Sequence, residues 1–182
     1  MLPLIYLGNS ILHKKTQTLK PTELISAKIQ TFARQLLDTI PHLPAAGLAA
    51  PQLGKSYRMF CIILEKQDLT YKSISPTESN LIKSNIAHLF VNPEVISHSN
   101  ELITEEEACL SIPYYAGLVQ RYASVTISFH DLKGKKYIIT ADGFMARVLQ
   151  HELDHLNGTL WLDRVHSPKE MFYLVPERDK DL

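Results

Sequence analysis

The stretch Asp142–Gly158, DGFMARVLQHELDHLNG, governs the reading of the whole chain. Leu149, Leu153 and Leu156 recur at helical spacing, Asp142 is a candidate cap, and Asn157-Gly158 supplies a stop. Together they predict a helix of about four turns at 3.6 residues each. Inside it, His151-Glu152-Leu153-Asp154-His155 matches H-E-x-x-H. At about 100° per residue, positions four apart fall on nearly one face, so two imidazoles can ligate one ion. Glu152 lies beside His151 around the helix, where it can flank the ion and handle protons of a bound water. Asp154 is a candidate supporting partner. The plain alternative is a polar surface face carrying two histidines. However, the helix is apolar nearly all round, which marks a buried one, and Phe144 and Val148 lie on the approach to the histidines. Two histidines and a glutamate buried without partners cost too much; a metal ion supplies partners.

A catalytic tetrahedral centre usually takes three protein ligands and a water, so one ligand is missing. Downstream candidates are Asp163, His166, Glu170 and Glu177, but the metzincin pattern fails because Trp161 stands where it needs histidine. Upstream, residues 105–113 read EEEACLSIP and offer Cys109. As a nucleophile Cys109 would need an activating base, and its acidic neighbours should raise its pKa. A metal ion removes that penalty by deprotonating the thiol, which favours the ligand role. Cys61, inside the apolar run MFCIIL, reads as an inert core residue.

The remaining chain suits a soluble globule. Its 182 residues fit one domain, 1–182, long enough to bury a core without disulfides. Nineteen Lys and Arg against nineteen Asp and Glu leave no basic field, so no direct nucleic-acid recognition is expected. Two cysteines cannot make a disulfide scaffold, and the apolar opening MLPLIYLGNSILHKK has neither a positive n-region nor the length to span a membrane. The expected location is the cytoplasm, with no membrane partner.

Residues 21–40, PTELISAKIQTFARQLLDTI, place Ile25, Ile29, Phe32, Leu36 and Ile40 on one face of a predicted helix. Thr22 is its candidate cap, and Pro41 and Pro44 end it. A small-residue loop AAGLAAPQLG precedes a buried strand, YRMFCIIL, and residues 65–87 read as an excursion between strands. HLFVNPEVI predicts a strand broken at Asn92-Pro93, and residues 123–143 predict a hairpin about Gly134. The pattern predicts an α+β fold of mostly antiparallel β-sheets packed around the central H-E-x-x-H helix, with an additional N-terminal helix.

Three segments in order, AAGLAAPQ (45–52), EACLS (107–111) and QHELDH (150–155), resemble the signatures of the peptide deformylases of bacterial type. The tail HLNGTLWLDR and the early helix extend the resemblance over nearly the whole chain. It implies a metal held by Cys109, His151 and His155 with water as fourth ligand. It also implies Glu152 as general acid/base, and Gln52 with the Leu110 backbone N–H as oxyanion donors. The implied ion is Fe²⁺, with Zn²⁺, Ni²⁺ or Co²⁺ accepted. The implied reaction releases formate from the N-terminal formylmethionine of nascent chains, with transient ribosome contact. Ala46, Gly47 and Leu48 would border the peptide, with Phe144 and Val148 walling a methionine pocket. Two family glycines are alanine here, Ala45 and Ala108, and Ala108 beside the metal should narrow substrate access. Two other readings share the helix motif: a zincin-like metallopeptidase, and a metal-bound peptide-binding paralogue without turnover.

Overall fold

The computed structural model describes residues 2–73 and 81–174. Nine strands and three helices are assigned among them: β1 (Gly47–Ala49), β2 (Met59–Ile62), β3 (Tyr71–Ser73), β4 (His88–His98), β5 (Leu102–Cys109), β6 (Ile112–Tyr122), β7 (Ser124–His130), β8 (Lys136–Asp142) and β9 (Met171–Tyr173), with α1 (Pro21–Leu24), α2 (Ala27–Thr39) and α3 (Gly143–Asn157). One sheet runs β1-β2-β4-β7-β8-β3 and a smaller one β5-β6-β9, with antiparallel pairing throughout the described strands. The α+β architecture around a central helix is as the pattern predicts.

Helix α3 is buried on two chemically different sides. Met145, Ala146, Leu149, Leu153 and Leu156 join the core of the larger sheet, beside Phe60, Phe90 and Ile127. Phe60, Phe90, Phe129 and Tyr137 form a run of rings with successive centroids 4.9, 4.3 and 5.5 Å apart, each pair adding about 0.5–1.5 kcal/mol beyond burial. Arg147, His151 and Asp154 instead make charged contacts with β5 and β6. Asp142 occupies the cap position but makes no side-chain cap bond, so that expectation is corrected. The helix stops as expected at Gly158, left-handed at φ 75°. A Cβ there would also meet the His13 carbonyl carbon at 2.7 Å, so the position takes only glycine.

The early helix is two helices. Ser26 caps α2 by accepting from the Ile29 N–H and donates to the Glu23 carbonyl, so the chain turns between Leu24 and Ala27. Ile25 is consequently 76% exposed and leaves the predicted stripe, which begins at Ile29. Thr22 does not cap; Lys20 holds that position, and its N–H donates to Glu23 at 2.7 Å. α2 ends as expected just before Pro41, at Thr39 with Ile40 as its C-cap, and the chain passes directly into a 3₁₀ turn, Ile40–His42. Asn92-Pro93 does not break β4 either. Asn92 takes φ 48° in an irregular register and uses its side-chain amide to hold the Leu19 backbone at 2.9 and 2.8 Å. The hairpin about Gly134 is present as β7–β8. Part of the 65–87 excursion and the tail beyond Leu174 lie outside the described residues; within the excursion, β3 joins β8.

An extended N-terminal arm ties the site-bearing elements together. The Ile5 N–H donates to the Gln52 carbonyl and the Leu7 N–H to the Ser111 carbonyl, both at 2.8 Å. Leu12 packs in one cluster with Cys109 and Trp161, and the Thr16 N–H and hydroxyl both donate to the Leu156 carbonyl at 2.9 Å.

Candidate metal centre and peptide cleft

Strand β5 delivers Cys109 at its last position, where Leu110 and Ser111 turn the chain into β6. Helix α3 delivers His151 and His155, their rings 5.0 Å apart. The ligand atoms of Cys109, His151 and His155 lie within 4.8 Å of one another, and Cys109 Sγ is 3.3 Å from His155 Nε2. Donors at metal distances of about 2.0–2.3 Å in a tetrahedron stand close enough together for this cluster to enclose an ion. His151 donates Nδ1–H to Glu107 at 2.9 Å, which leaves Nε2 as its ligand atom. Among the described residues, the downstream candidates Asp163, His166 and Glu170 do not join the cluster. Asp163 accepts from the Leu160 N–H and Glu170 from the His166 and Ser167 N–H groups, and Glu177 lies outside the described residues.

Glu152 stands beside the cluster, 3% exposed, and its Oε2 is buried with no hydrogen-bond partner among the described residues. A carboxylate oxygen left bare in a buried site suits a proton-bearing ligand of the ion. Burial pushes its carboxyl up to about 7, although the charges of His155 and His151 act against the shift. Space for Glu152 is set by Gly47, because a Cβ there would fall 2.2 Å from Glu152 Oε1. Gln52 is 2% exposed; its Oε1 accepts from the Ala49 N–H at 2.8 Å, which turns Nε2 toward Cys109 Sγ and Ser111 Oγ, each at 3.4 Å.

Burial alone would raise the Cys109 thiol, but His155 and His151 beside it bring it well below its ordinary value. This corrects the expectation that acidic neighbours raise it. Glu107 is already neutralised: Arg121 reaches both its oxygens, through Nε at 2.8 Å and Nη2 at 2.7 Å, and Arg147 Nη1 reaches Oε1 at 2.8 Å. Against the cost of burial, these partners and His151 hold the Glu107 carboxyl well below the usual range. Arg121 continues to Asp154, which also pairs with Arg164. Asp154 thus supports the ligands at a distance, through Arg121, Glu107 and His151.

Glu107, Arg121 and Arg147 were not singled out from sequence, although Glu107 opens the EACLS segment. A legible signal existed for Glu107. Strand residues two apart share a face, and Glu107 precedes Cys109 by two. The two arginines come from β6 and α3 and carried no local signal.

A cleft of about 430 Å³ opens over the centre. Ala46, Gly47 and Gln52 line one side, Ala108 and Leu110 another, and Phe144 and Val148 the helix side. Phe144 is 45% exposed and so is not core, whereas Val148 belongs to both core and cleft. Leu48 departs from expectation: its side chain is fully buried in the cluster under α2 and does not line the cleft, because strand alternation turns it away. Ala45 and Ala108 also line the cleft, and neither has positive φ, so the backbone does not require glycine at either position.

A family model described as polypeptide deformylase matches residues 1–171. The chain belongs to the polypeptide deformylase family. The peptide deformylase of Brucella suis biovar 1 is 38% identical over 167 residues, covering 92% of this chain and 86% of the relative. That of Mesorhizobium japonicum is 39% identical over 167 residues, covering 92% and 85%. Among solved structures, the Met-Ala-Ser-bound class I type b deformylase from Acinetobacter baumannii superposes with a TM-score of 0.76 at 31% identity, covering 91% of this chain and 98% of that one. The Synechococcus elongatus deformylase in complex with actinonin gives 0.76 at 32% identity, covering 93% and 81%. The chain is accordingly a hydrolase that removes the formyl group from the N-terminal methionine of nascent polypeptides. The metallopeptidase and turnover-free readings find no support.

Proposed function

We propose that residues 1–182 act as a single catalytic domain in which Cys109, His151 and His155 hold one divalent ion and Glu152 is the general acid/base. The observation that carries this reading is the bare, buried Oε2 of Glu152 beside a cluster of one thiolate and two imidazoles. When bound, the ion polarises the formyl carbonyl and lowers the pKa of water. Glu152 takes the proton of the attacking water and passes it to the leaving amine. Gln52 Nε2 and the Leu110 N–H donate to the oxyanion that forms on the formyl oxygen, a contribution of about 10²–10³ in rate per donor. Ala46 and Gly47 border the peptide, and Phe144 and Val148 receive the methionine side chain.

A mixed thiolate and imidazole set suits Fe²⁺, Zn²⁺, Ni²⁺ and Co²⁺; Fe²⁺ is the ion we assign. No described helix is long and apolar enough to cross a membrane, and we place the enzyme in the cytoplasm with transient ribosome contact. Ala108 lines the cleft beside the proposed metal, and we propose that its methyl narrows it. Ala108→Gly should therefore raise kcat/KM on formyl-Met peptides, and an unchanged value removes that idea. The central test is anaerobic formate release from a formyl-Met peptide with Fe²⁺ and with Ni²⁺. Turnover is expected with each, and none with either at full occupancy would overturn the reading. In the same assay Glu152→Ala should abolish turnover while retaining the metal.

A further inference from the structure

A second cavity, of about 470 Å³, lies against another face of α3. Gln150, Leu153, Asp154 and Asn157 line it, whereas Phe144, Val148, His151 and Glu152 line the metal cleft. At about 100° per residue these two sets fall on opposite sides of the helix. The volume is within the range of about 300–1,000 Å³ usual for small-molecule sites. The proposed chemistry makes no use of it.

The floor of this cavity is apolar. Val125 and Leu153 are buried beneath it, while Val95, Leu102 and Tyr122 stay 47%, 47% and 37% exposed around it. Leu102 and Tyr122 stand directly opposite each other across β5 and β6, and the His98 ring stacks on Tyr122 at 3.6 Å. The buried polar groups of the lining are already committed. Arg121 donates to Glu107 and Asp154, and the Gln150 amide exchanges hydrogen bonds with the Tyr122 N–H and carbonyl at 3.1 and 3.0 Å. Two rim groups keep spare capacity. Arg164 grips both Asp154 oxygens through Nε and Nη2, and its Nη1 has no partner among the described residues. Asp163 accepts from the Leu160 N–H at 2.8 Å through Oδ2, and its Oδ1 has no partner among the described residues.

The rim therefore offers one guanidinium donor and one carboxylate acceptor above an apolar floor. Arg121 and Arg164 balance Asp154 and Asp163 in formal charge, so the lining favours a zwitterion over an ion of either sign. We propose that this cavity is a second ligand site, taking a free apolar α-amino acid. Its carboxylate meets Arg164 Nη1, its ammonium meets Asp163, and its side chain covers Val95, Leu102 and Leu153. Arg164 is also the outermost partner of Asp154, so the occupant touches the end of the ion-pair chain that leads through Arg121 and Glu107 to His151.

The test titrates the Zn²⁺-loaded full chain, with isotope-labelled Leu and Val methyls, with L-leucine, N-acetyl-L-leucine, L-leucinamide and L-aspartate, read by NMR. L-Leucine should shift the Val95, Leu102, Val125 and Leu153 methyls saturably, with a Kd of about 0.1–1 mM for a molecule of that size. Losing either charge, in N-acetyl-L-leucine or L-leucinamide, should weaken binding about tenfold, and L-aspartate should not bind. Asp163→Asn keeps an oxygen for the Leu160 N–H and should bring L-leucine down to the affinity of N-acetyl-L-leucine. Leu102→Glu, at a half-exposed position, should abolish binding and serves if the first variant fails to fold. No saturable shift well above that range, equal affinity for L-leucine and N-acetyl-L-leucine, or shifts confined to Leu110 and Val148 in the metal cleft would overturn the proposal. So would shifts of the cavity methyls with protein concentration alone, which would mark a second copy of this chain as the occupant.

Discussion

Glu107→Gln replaces one carboxylate oxygen with an amide that can only donate. In the native site Oε1 accepts from Arg121 Nε and Arg147 Nη1, and Oε2 accepts from Arg121 Nη2 and His151 Nδ1. Whichever way the glutamine turns, its NH₂ faces two donors. Turned toward His151, it drives the imidazole to the tautomer with the proton on Nε2, the nitrogen a metal needs bare. Turned the other way, it confronts two guanidinium groups. In both cases Arg121 and Arg147, each buried, lose shared negative charge. Removing one partner from such a buried network costs about 3–5 kcal/mol, and loss of a carboxylate behind a ligating histidine lowers metal affinity about 10–100-fold. The control is Glu105→Gln. Glu105 pairs with the same Arg147 at 2.9 Å, but its side chain is 56% exposed, so solvent screening should hold its effect to about 1 kcal/mol or less. Chelator-competition titration reads the affinity, and urea unfolding of the metal-loaded proteins reads the stability. A Glu107→Gln enzyme matching the native one within twofold in affinity, with an unshifted midpoint, would refute the role given to Glu107.

Other substitutions test neighbouring parts of the site. Gly47→Ala puts a methyl where Glu152 sits, so kcat should fall by about 10²–10⁴ with metal content unchanged, measured by formate release and metal analysis. Leu7→Pro removes the N–H that holds the Ser111 carbonyl; kcat should fall more than in Leu7→Ala, which keeps that N–H and loses only a half-exposed side chain. Equal kinetics in the two would show that the arm does not position the turn. Stripping the ion with a chelator should lower Tm, since a ligand present at 100 times its Kd contributes about 2.7 kcal/mol. Adding Ni²⁺ should restore Tm in the native enzyme and not in Cys109→Ser.

Much of the site is written locally. The spacing of His151 and His155 on a buried helix points to a metal by itself, because helical geometry and the cost of burial act within a few residues. Cys61 and the β7–β8 hairpin are equally local, one inside an apolar run and the other about a glycine at φ 81°. Errors arose where neighbours in space overrode neighbours in sequence. Ile25 kept the helical spacing, yet Ser26 turned the chain and exposed it. Asn92-Pro93 looked like a break, but Leu19, 73 positions away, holds that corner inside a continuous strand.

The sequence by itself determined the α+β class, the three residues proposed here as metal ligands, the carboxylate proposed as acid/base and, through three ordered segments, the family resemblance. Only the tertiary structure decided what supports them. Arg121 and Arg147 reach Glu107 from 14 and 40 positions away, and their pairing makes a buried carboxylate tolerable behind His151. The turn after Cys109 carries a register shift, Cys109 pairing with Ile112 but Ala108 with Ala116, and β9, more than fifty positions further on, pairs beside it at Tyr115–Gly117. Ion pairs and strand register satisfy charge and backbone groups wherever the fold brings them together, so no local pattern announces them.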